Sequence, residues 1–399
     1  MGKKHLSFLV ISLIASGYLA AQEKLEIKSN VGKKYYLVEK SDLTKYTNTG
    51  YIGLLAREVR GICEVVASAD TVGTSYEGIF YVLEEIKKEA RPVAQKIDAS
   101  YKSSFTILPS GEYLIEESNI YPTLRNFPVF PEKVLKAGDK WQAYGIRLVE
   151  PKRDGVFTRV RFYCDYEYKG KGNLNGKPCD VIQAQYALRY KRGDDPRGDE
   201  DLSQLTGKHV VTIYLDSEQK QLLFMRDSLE ETYQFSDRSF ITYKVFSLTW
   251  FNLILLFNKK EILVDLKEEL KRQELKDITL APRPEGLLLT VYNIHFVPDE
   301  AVVLPEELPR LKALAALLKK YPGRTILVRG HTARWGSVES QFSLSLARAK
   351  TIADYLIGQG LSPDQFIYEG KGALEPVASN DTEEGRAQNR RVEIFILEN

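Results

Sequence analysis

The 399-residue sequence predicts a multidomain α+β protein: an N-terminal antiparallel β-rich half-barrel or curved sheet, a linker helix, and a C-terminal two-layer α/β sandwich. Three changes of pattern predict it. From Lys28 to about Phe257 apolar residues recur with period two, as in half-buried strands. From Lys259 to Lys276 the period turns helical in a charge-dense stretch without Gly or Pro. Beyond Pro282 and Pro284, strand-like and helix-like segments alternate. The expected boundaries are 1–21 for a leader, 22–258 for the β-rich region (long enough for two subdomains), 259–280 for the helical linker and 281–399 for the last domain.

The leader is read from its first two dozen residues. Lys3, Lys4 and His5 give a basic start, Leu6 to Ile14 an apolar core, and Ala20-Ala21 a small-residue site before a polar run. This is the make-up of a secretory signal peptide, too short in its apolar core to stop and span a bilayer. Cleavage is expected after Ala21, although Leu19 is larger than the residue usual two places upstream. No cysteine follows, so an N-terminal lipid anchor is not indicated. The other reading is a short buried N-terminal helix. Two of the 56 basic residues lie in the leader and none of the 54 acids, so the remaining chain would carry no formal net charge. That balance argues against nucleic acid or an anionic membrane surface as the main partner.

Within the β-rich region, strands are expected at Val156–Tyr168, Val181–Tyr190, Val210–Leu215, Leu222–Met225 and Phe240–Thr249, rich in Tyr, Val, Ile and Phe. Lys169–Gly176, Asp216–Gln219 and Ser236–Arg238 separate them as turns. A helical insertion interrupted by Pro92 is expected over Leu83–Ile97. The apolar run Val245–Phe257 is too short to cross a membrane as a helix and reads as a buried strand pair. Of the three cysteines, Cys164 shares the apolar face of its strand while Cys179 is off the parity of the next. A bridge would require a bulge before Val181, so free, partly buried thiols are expected for Cys63, Cys164 and Cys179.

In the last domain, Leu287–Phe296 reads as a strand and Pro305–Lys320 as a helix closed by Pro322-Gly323. Thr325–Arg329 reads as a strand, Leu344–Ile357 as a second helix, and Phe366–Glu369 and Val392–Leu397 as further strands. Short strings follow one another along these elements: Asn293 to Phe296, Gly330 to Thr332, Leu344-Ser345, Arg348-Ala349, Tyr355-Leu356, Gly370 to Gly372, Pro376 to Asn380 and Asn389 to Val392. Each alone is weak; in this order and spacing they resemble the C-terminal domain shared by OmpA, Pal and MotB, over residues 285 to 399.

The resemblance implies an envelope protein of the periplasm, open to outer-membrane association, whose last domain binds peptidoglycan stem peptides. Such peptides end in carboxylates and carry a diamino acid that is zwitterionic at its free end. A binder wants a guanidinium for the carboxylate and an acid or carbonyl for the ammonium. The resemblance gives the first role to Arg348, which the sequence places in the first turns of its helix, where backbone amides also favour an anion. Thr332 and its loop can add backbone contacts, and Asn389, Arg390 and Arg391 precede the last strand, where an arginine could face the same groove. The bland readings stay beside these: a surface pair of Arg348 with Glu369 or Glu384, a loop-organising His331, and a stapling role for Asn389 to Arg391.

This sequence departs from the family pattern at three places. Ala333 stands where an Asp pairs with the amine, Gln341 stands where Asn is usual, and Val297 replaces an Asp. Loss of a buried ion-pair partner costs a few kcal/mol, a hundredfold or more in affinity. Trp335 sits in the same loop and is available to stack on a sugar or fill the pocket. Two functions therefore stand: a peptidoglycan tether through Arg348 weakened at Ala333, or a domain turned into a protein-interaction module. Other envelope proteins are expected partners. No enzyme, cofactor or metal centre is indicated. His209, His295 and His331 lack zinc spacing, and there is no Gly-x-Ser-x-Gly or Walker loop. The acidic run Asp194 to Asp201 reads as a solvated loop. For the β-rich region the alternatives are a soluble half-barrel binding an apolar ligand or a partner, a transmembrane barrel, and a spacer. Uneven loops and charged stretches favour a soluble domain.

Overall fold

A computed structural model describes residues 23–28, 34–69, 72–86, 95–251, 259–273, 275, 277–283, 286–292, 294–321 and 324–397. The leader, Pro284, Asn293, Pro322-Gly323 and the middle of the expected helical insertion lie outside the described residues. The chain divides into two compact units, one of residues 1–57, 63–79 and 101–252, the other of 58–62, 80–100 and 253–399.

Thirteen strands lead up to the first helix: β1 (Lys34–Thr47), β2 (Gly50–Ala69), β3 (Gly73–Ile86), β4 (Gln95–Lys96), β5 (Ala99–Ile107), β6 (Tyr113–Ile115), β7 (Leu124–Arg125), β8 (Lys140–Val149), β9 (Thr158–Leu174), β10 (Lys177–Lys191), β11 (Leu202–Asp216), β12 (Leu222–Phe235) and β13 (Phe240–Phe251). All but β4 form one sheet, ordered β6-β5-β3-β2-β1-β13-β12-β11-β10-β9-β8-β7. Its two edges approach each other: the Tyr113 N–H donates to Asn126 Oδ1 at 2.7 Å, so the sheet is a nearly closed barrel. Period two explains the inside and outside. On β9, Val160, Phe162, Cys164, Tyr166 and Tyr168 are buried while Arg161, Tyr163 and Asp165 are exposed. The strands are longer than their apolar cores suggested. Lys169–Gly176, expected as a loop, continues β9 to Leu174, and the chain turns on Asn175-Gly176, both with positive φ, as a two-residue hairpin turn requires.

The expected helix at Leu83–Ile97 is overturned at both ends, since β3 runs through Ile86 and Gln95-Lys96 is a strand. Val245 to Phe251 continues one strand, β13, and the rest of the expected pair lies outside the described residues. A register shift between Val181 and Ile182 breaks the β9–β10 parity and carries Cys179 inward. All three cysteines are nevertheless free, and they are fully rather than partly buried. A charged cluster crosses the barrel interior. Arg147 Nε lies 2.9 Å from Glu231 Oε1, His209 Nε2 3.2 Å from the same oxygen, and His209 Nδ1 2.9 Å from Asp227 Oδ2. Burial raises the Glu231 carboxyl, but Arg147, His209 and Tyr233 overcome this and hold it at about 2. Gly207 makes room there, because a Cβ would stand 3.3 Å from Glu231 Cγ.

The second unit contains α1 (Lys259–Arg272), β14 (Ile278–Arg283), β15 (Gly286–Tyr292), α2 (Leu308–Leu318), β16 (Ile326–Gly330), α3 (Val338–Gly358), β17 (Phe366–Gly370), α4 (Glu383–Asn389) and β18 (Arg391–Leu397). Its mixed sheet is ordered β14-β15-β18-β16-β17-β4, and Ile326, Val328, Ile394 and Ile396 meet Leu311, Leu314, Ile352 and Leu356 of α2 and α3 in one core. Leu266 and Leu270 of α1 are buried in that core, so the charge-dense helix packs as part of this unit. The opposite face of the sheet is buried too, with Leu327, Ile367 and Leu397 at 0 % exposure. Residues 58–62 and 80–100 of the same unit reach it: Arg60 Nη1 donates to Thr325 Oγ1 at 3.1 Å, and the Ile97 N–H to the Tyr368 carbonyl at 2.8 Å.

Candidate functional site

Two glycines set the frame of the site. A Cβ on Gly330, at the end of β16, would meet the Ser345 carbonyl oxygen at 2.1 Å; one on Gly370, at the end of β17, would meet Ser345 Oγ at 2.5 Å. Both strand ends therefore abut α3, and both glycine-bearing strings are explained by that contact. Lys371 N–H donates to the Gly330 carbonyl, Thr332 N–H to that of Gly372 and Gly372 N–H to Ser345 Oγ, which ties the loops after β16 and β17 together.

Helix α3 begins at Val338 behind an N-cap at Ser337, whose side chain accepts from Ser340 N–H. The expected start at Leu344 was six residues late. Arg348 therefore lies mid-helix, roughly 15 Å from the first amides, and the anticipated help from the helix N-terminus is absent. What surrounds Arg348 instead is a turn. Val297 N–H donates to the Val302 carbonyl at 2.8 Å and Glu300 N–H to the Val297 carbonyl at 3.0 Å, closing a hairpin between Phe296 and Val303. The Arg348 Nε donates to the Glu300 carbonyl at 3.0 Å and the guanidinium sits 4.7 Å above the Phe296 ring. Its two Nη groups have no hydrogen-bond partner among the described residues, and neither Glu369 nor Glu384 pairs with it. Burial lowers the pKa of Arg348, Asp299 raises it and Arg390 lowers it further.

The other residues singled out from sequence divide by role. Thr332 and Ala333 are buried beside Gly372, and the Thr332 hydroxyl has no partner among the described residues. Gln341 Nε2 donates to the carbonyls of Trp335 and Gly336, both at 3.2 Å, and Arg334 N–H donates to Asn380 Oδ1 at 3.0 Å. The loop that displays Trp335, 82 % exposed, is thus held at two points. Asn389 is fully buried and fully used: its Oδ1 accepts from Val377 and Ala378 N–H, and its Nδ2 donates to the Ala378 carbonyl and Asn380 Oδ1. Arg391 lies on the face of β18 away from α3, with Nε and Nη2 on Glu393 Oε1 at 2.9 and 2.8 Å. Arg390 is the arginine whose charge reaches Arg348.

His331 is buried 3.3 Å from Glu393, and burial lowers its pKa. Burial raises the Glu393 carboxyl, but His331 and then Arg391 overcome this and hold it at about 2. The sequence reading missed the turn Val297–Glu300. Its signal was the Pro298-Asp299 dipeptide, which favours a turn. In the first unit, a cleft of about 530 Å³ opens beside Lys152, Asp201, Phe235 and Phe240. The acidic run near it is consumed internally: Asp195 accepts from Arg159 and Arg197 N–H, and Lys152 pairs with Asp199 and Asp201.

Residues 295–390 match the model of the OmpA family. Over 103 residues the chain is 41 % identical to the peptidoglycan-binding protein ArfA of Mycobacterium bovis, which covers 26 % of this chain and 32 % of that protein. It is 40 % identical over 119 residues to motility protein B of Bacillus subtilis (28 % and 46 % covered), and 36 % identical over 110 residues to the peptidoglycan-associated lipoprotein of Pseudomonas aeruginosa (28 % and 65 %). The chain thus spans about a third of the length of the ArfA protein it matches.

Proposed function

We propose, from a C-terminal domain that belongs to the OmpA family, that this chain is a non-enzymatic periplasmic envelope protein whose last domain tethers it to peptidoglycan stem peptides. The observation that carries the reading is Arg348: a guanidinium fixed through Nε and an aromatic face, with both Nη groups left for a carboxylate. Thr332, with its unpartnered hydroxyl, lies in the loop tied to the same helix through Gly372 and Ser345 and is assigned a secondary contact. Gln341, Asn389 and Arg391 are assigned to holding loops and strand. Ala333 leaves the place of an acid empty, so affinity is weaker than an Asp there would give. The names of the relatives, two of which speak of peptidoglycan, support the assignment.

The barrel is proposed to stand in the aqueous periplasm. A membrane barrel turns apolar residues to lipid and polar ones to its lumen. Here β9 and β10 turn Arg161, Asp165, Gln185 and Arg189 outward and Phe162, Tyr166, Ile182 and Leu188 inward. Sedimentation with isolated sacculi tests the tether. The mature chain should co-sediment, Arg348→Ala should not, and Ala333→Asp should sediment more completely. If neither the native chain nor Ala333→Asp sediments, the tether is refuted. The second reading, a protein-interaction module, then takes its place, favoured by exposed Trp335, Leu374 and Val377 on the linked loops.

A further inference from the structure

The acid for the ligand's ammonium is missing at Ala333, where the family pattern has one, and Val297 replaces a further Asp of that pattern. The turn on Arg348 carries another. Pro298 and Asp299 occupy its two central positions, and Asp299 has φ +57°, the left-handed conformation that a type II turn demands at that place and that Asp tolerates better than most residues. The carboxylate stands exposed at the tip, with no hydrogen bond or ion pair among the described residues. The next residue, Glu300, is the one whose carbonyl fixes Arg348. The turn cannot move without moving the guanidinium's anchor, so cation and acid are held as a unit.

We propose that Asp299 is the specificity-determining acid of this site, receiving the ammonium of a zwitterionic ligand end whose carboxylate lies on the Arg348 Nη groups. The inference rests on the tether reading and sharpens it to a ligand class: a free amino-acid end with both charges present. Asp299 is near enough to Arg348 to act on it electrostatically, yet it forms no ion pair with it, and its carboxylate remains available. A ligand ammonium placed between the carboxylates of ligand and Asp299 completes the alternation of charge that Ala333 interrupts.

The experiment uses the full mature chain and two synthetic tripeptides. One ends in a diamino dicarboxylic acid with a free amino-acid end; the other is identical but acetylated on that terminal amine. Calorimetric titration of the native chain should favour the free amine about tenfold or more. Asp299→Asn keeps a residue that accepts positive φ, so it should fold normally and bind both peptides alike. Glu300→Gln should keep the preference, and Arg348→Ala should lose both peptides. Equal binding of the two peptides by the native chain overturns the role of Asp299, and so does a preference that survives in Asp299→Asn, in either case leaving the tether standing. Failure of the native chain to bind either peptide or sacculi removes the tether and this inference together.

Discussion

Asn389→Ala separates stapling from ligand contact. The amide makes four hydrogen bonds of 2.8 to 3.1 Å at 0 % exposure, three of them to the backbone of Val377 and Ala378. Alanine leaves two N–H groups and one carbonyl without that partner. Each net bond is worth about 1 kcal/mol and each buried group left unpaired costs about 1–3 kcal/mol, with partial relief from water at the loop edge. A loss of roughly 2–4 kcal/mol follows, or roughly 4–16 °C in the transition of the second unit, at the 2–4 °C per kcal/mol usual for this size. The damage should propagate, because Asn380, held by Asn389, in turn holds Arg334 N–H at the base of the Trp335 loop. Thermal unfolding followed by near-ultraviolet circular dichroism, with sacculus sedimentation well below the transition, supplies both readouts. A variant that melts within a degree of the native chain yet fails to sediment would refute the stapling argument and return Asn389 to the ligand.

Further expectations follow from the buried charges and close contacts. Gly330→Ala should destabilise the second unit by roughly 1–3 kcal/mol or more, since the Ser345 carbonyl 2.1 Å away cannot retreat within α3; chemical denaturation reads this. Glu231→Gln strands Arg147 inside the barrel and should cost the first unit about 3–5 kcal/mol, seen as an earlier urea midpoint. Acid should weaken the second unit in two windows. The pKa of His331 is lowered on folding, so stability falls as pH drops through its ordinary value of 6.5. Glu393 is held at about 2 against an ordinary 4.5, so its contribution is present above 4.5 and is lost as pH falls toward 2. Melting temperature against pH should therefore flatten below 4.5 in Glu393→Gln, relative to the native chain.

Much of this was legible in the residues because it rests on short-range rules. The alternation at Val160–Tyr168 fixed which side of β9 is inside, and the string from Gly330 to Val392 fixed the order of the last domain. The errors have physical causes. Leu83–Ile97 carries charged residues that suit a helix, but β3 is held through Ile86 in a sheet between β2 and β5, and pairing on both sides outweighs local propensity. The start of α3 was set six residues late because Val338–Gln341 has a polar composition, and the Ser337 cap was given no weight. Arg391 was one of two arginines placed beside the groove by adjacency, whereas strand parity puts it with Glu393 on the face of β18 away from α3. Asp299 carried no signal beyond Pro-Asp, because its importance comes from Glu300 meeting a helix nearly fifty residues on.

The hydrogen bond from Arg348 to the Glu300 carbonyl has a kinetic side. A long cationic side chain usually loses rotamer freedom on capturing its ligand, at about 0.5–1.5 kcal/mol. Here the turn and the Phe296 ring have already confined the guanidinium in the unliganded protein. Encounter should therefore need little rearrangement, and variation among ligands should appear in how long they stay rather than how fast they arrive. If the proposed tether holds, such a contact can be released and remade quickly without the loop having to refold.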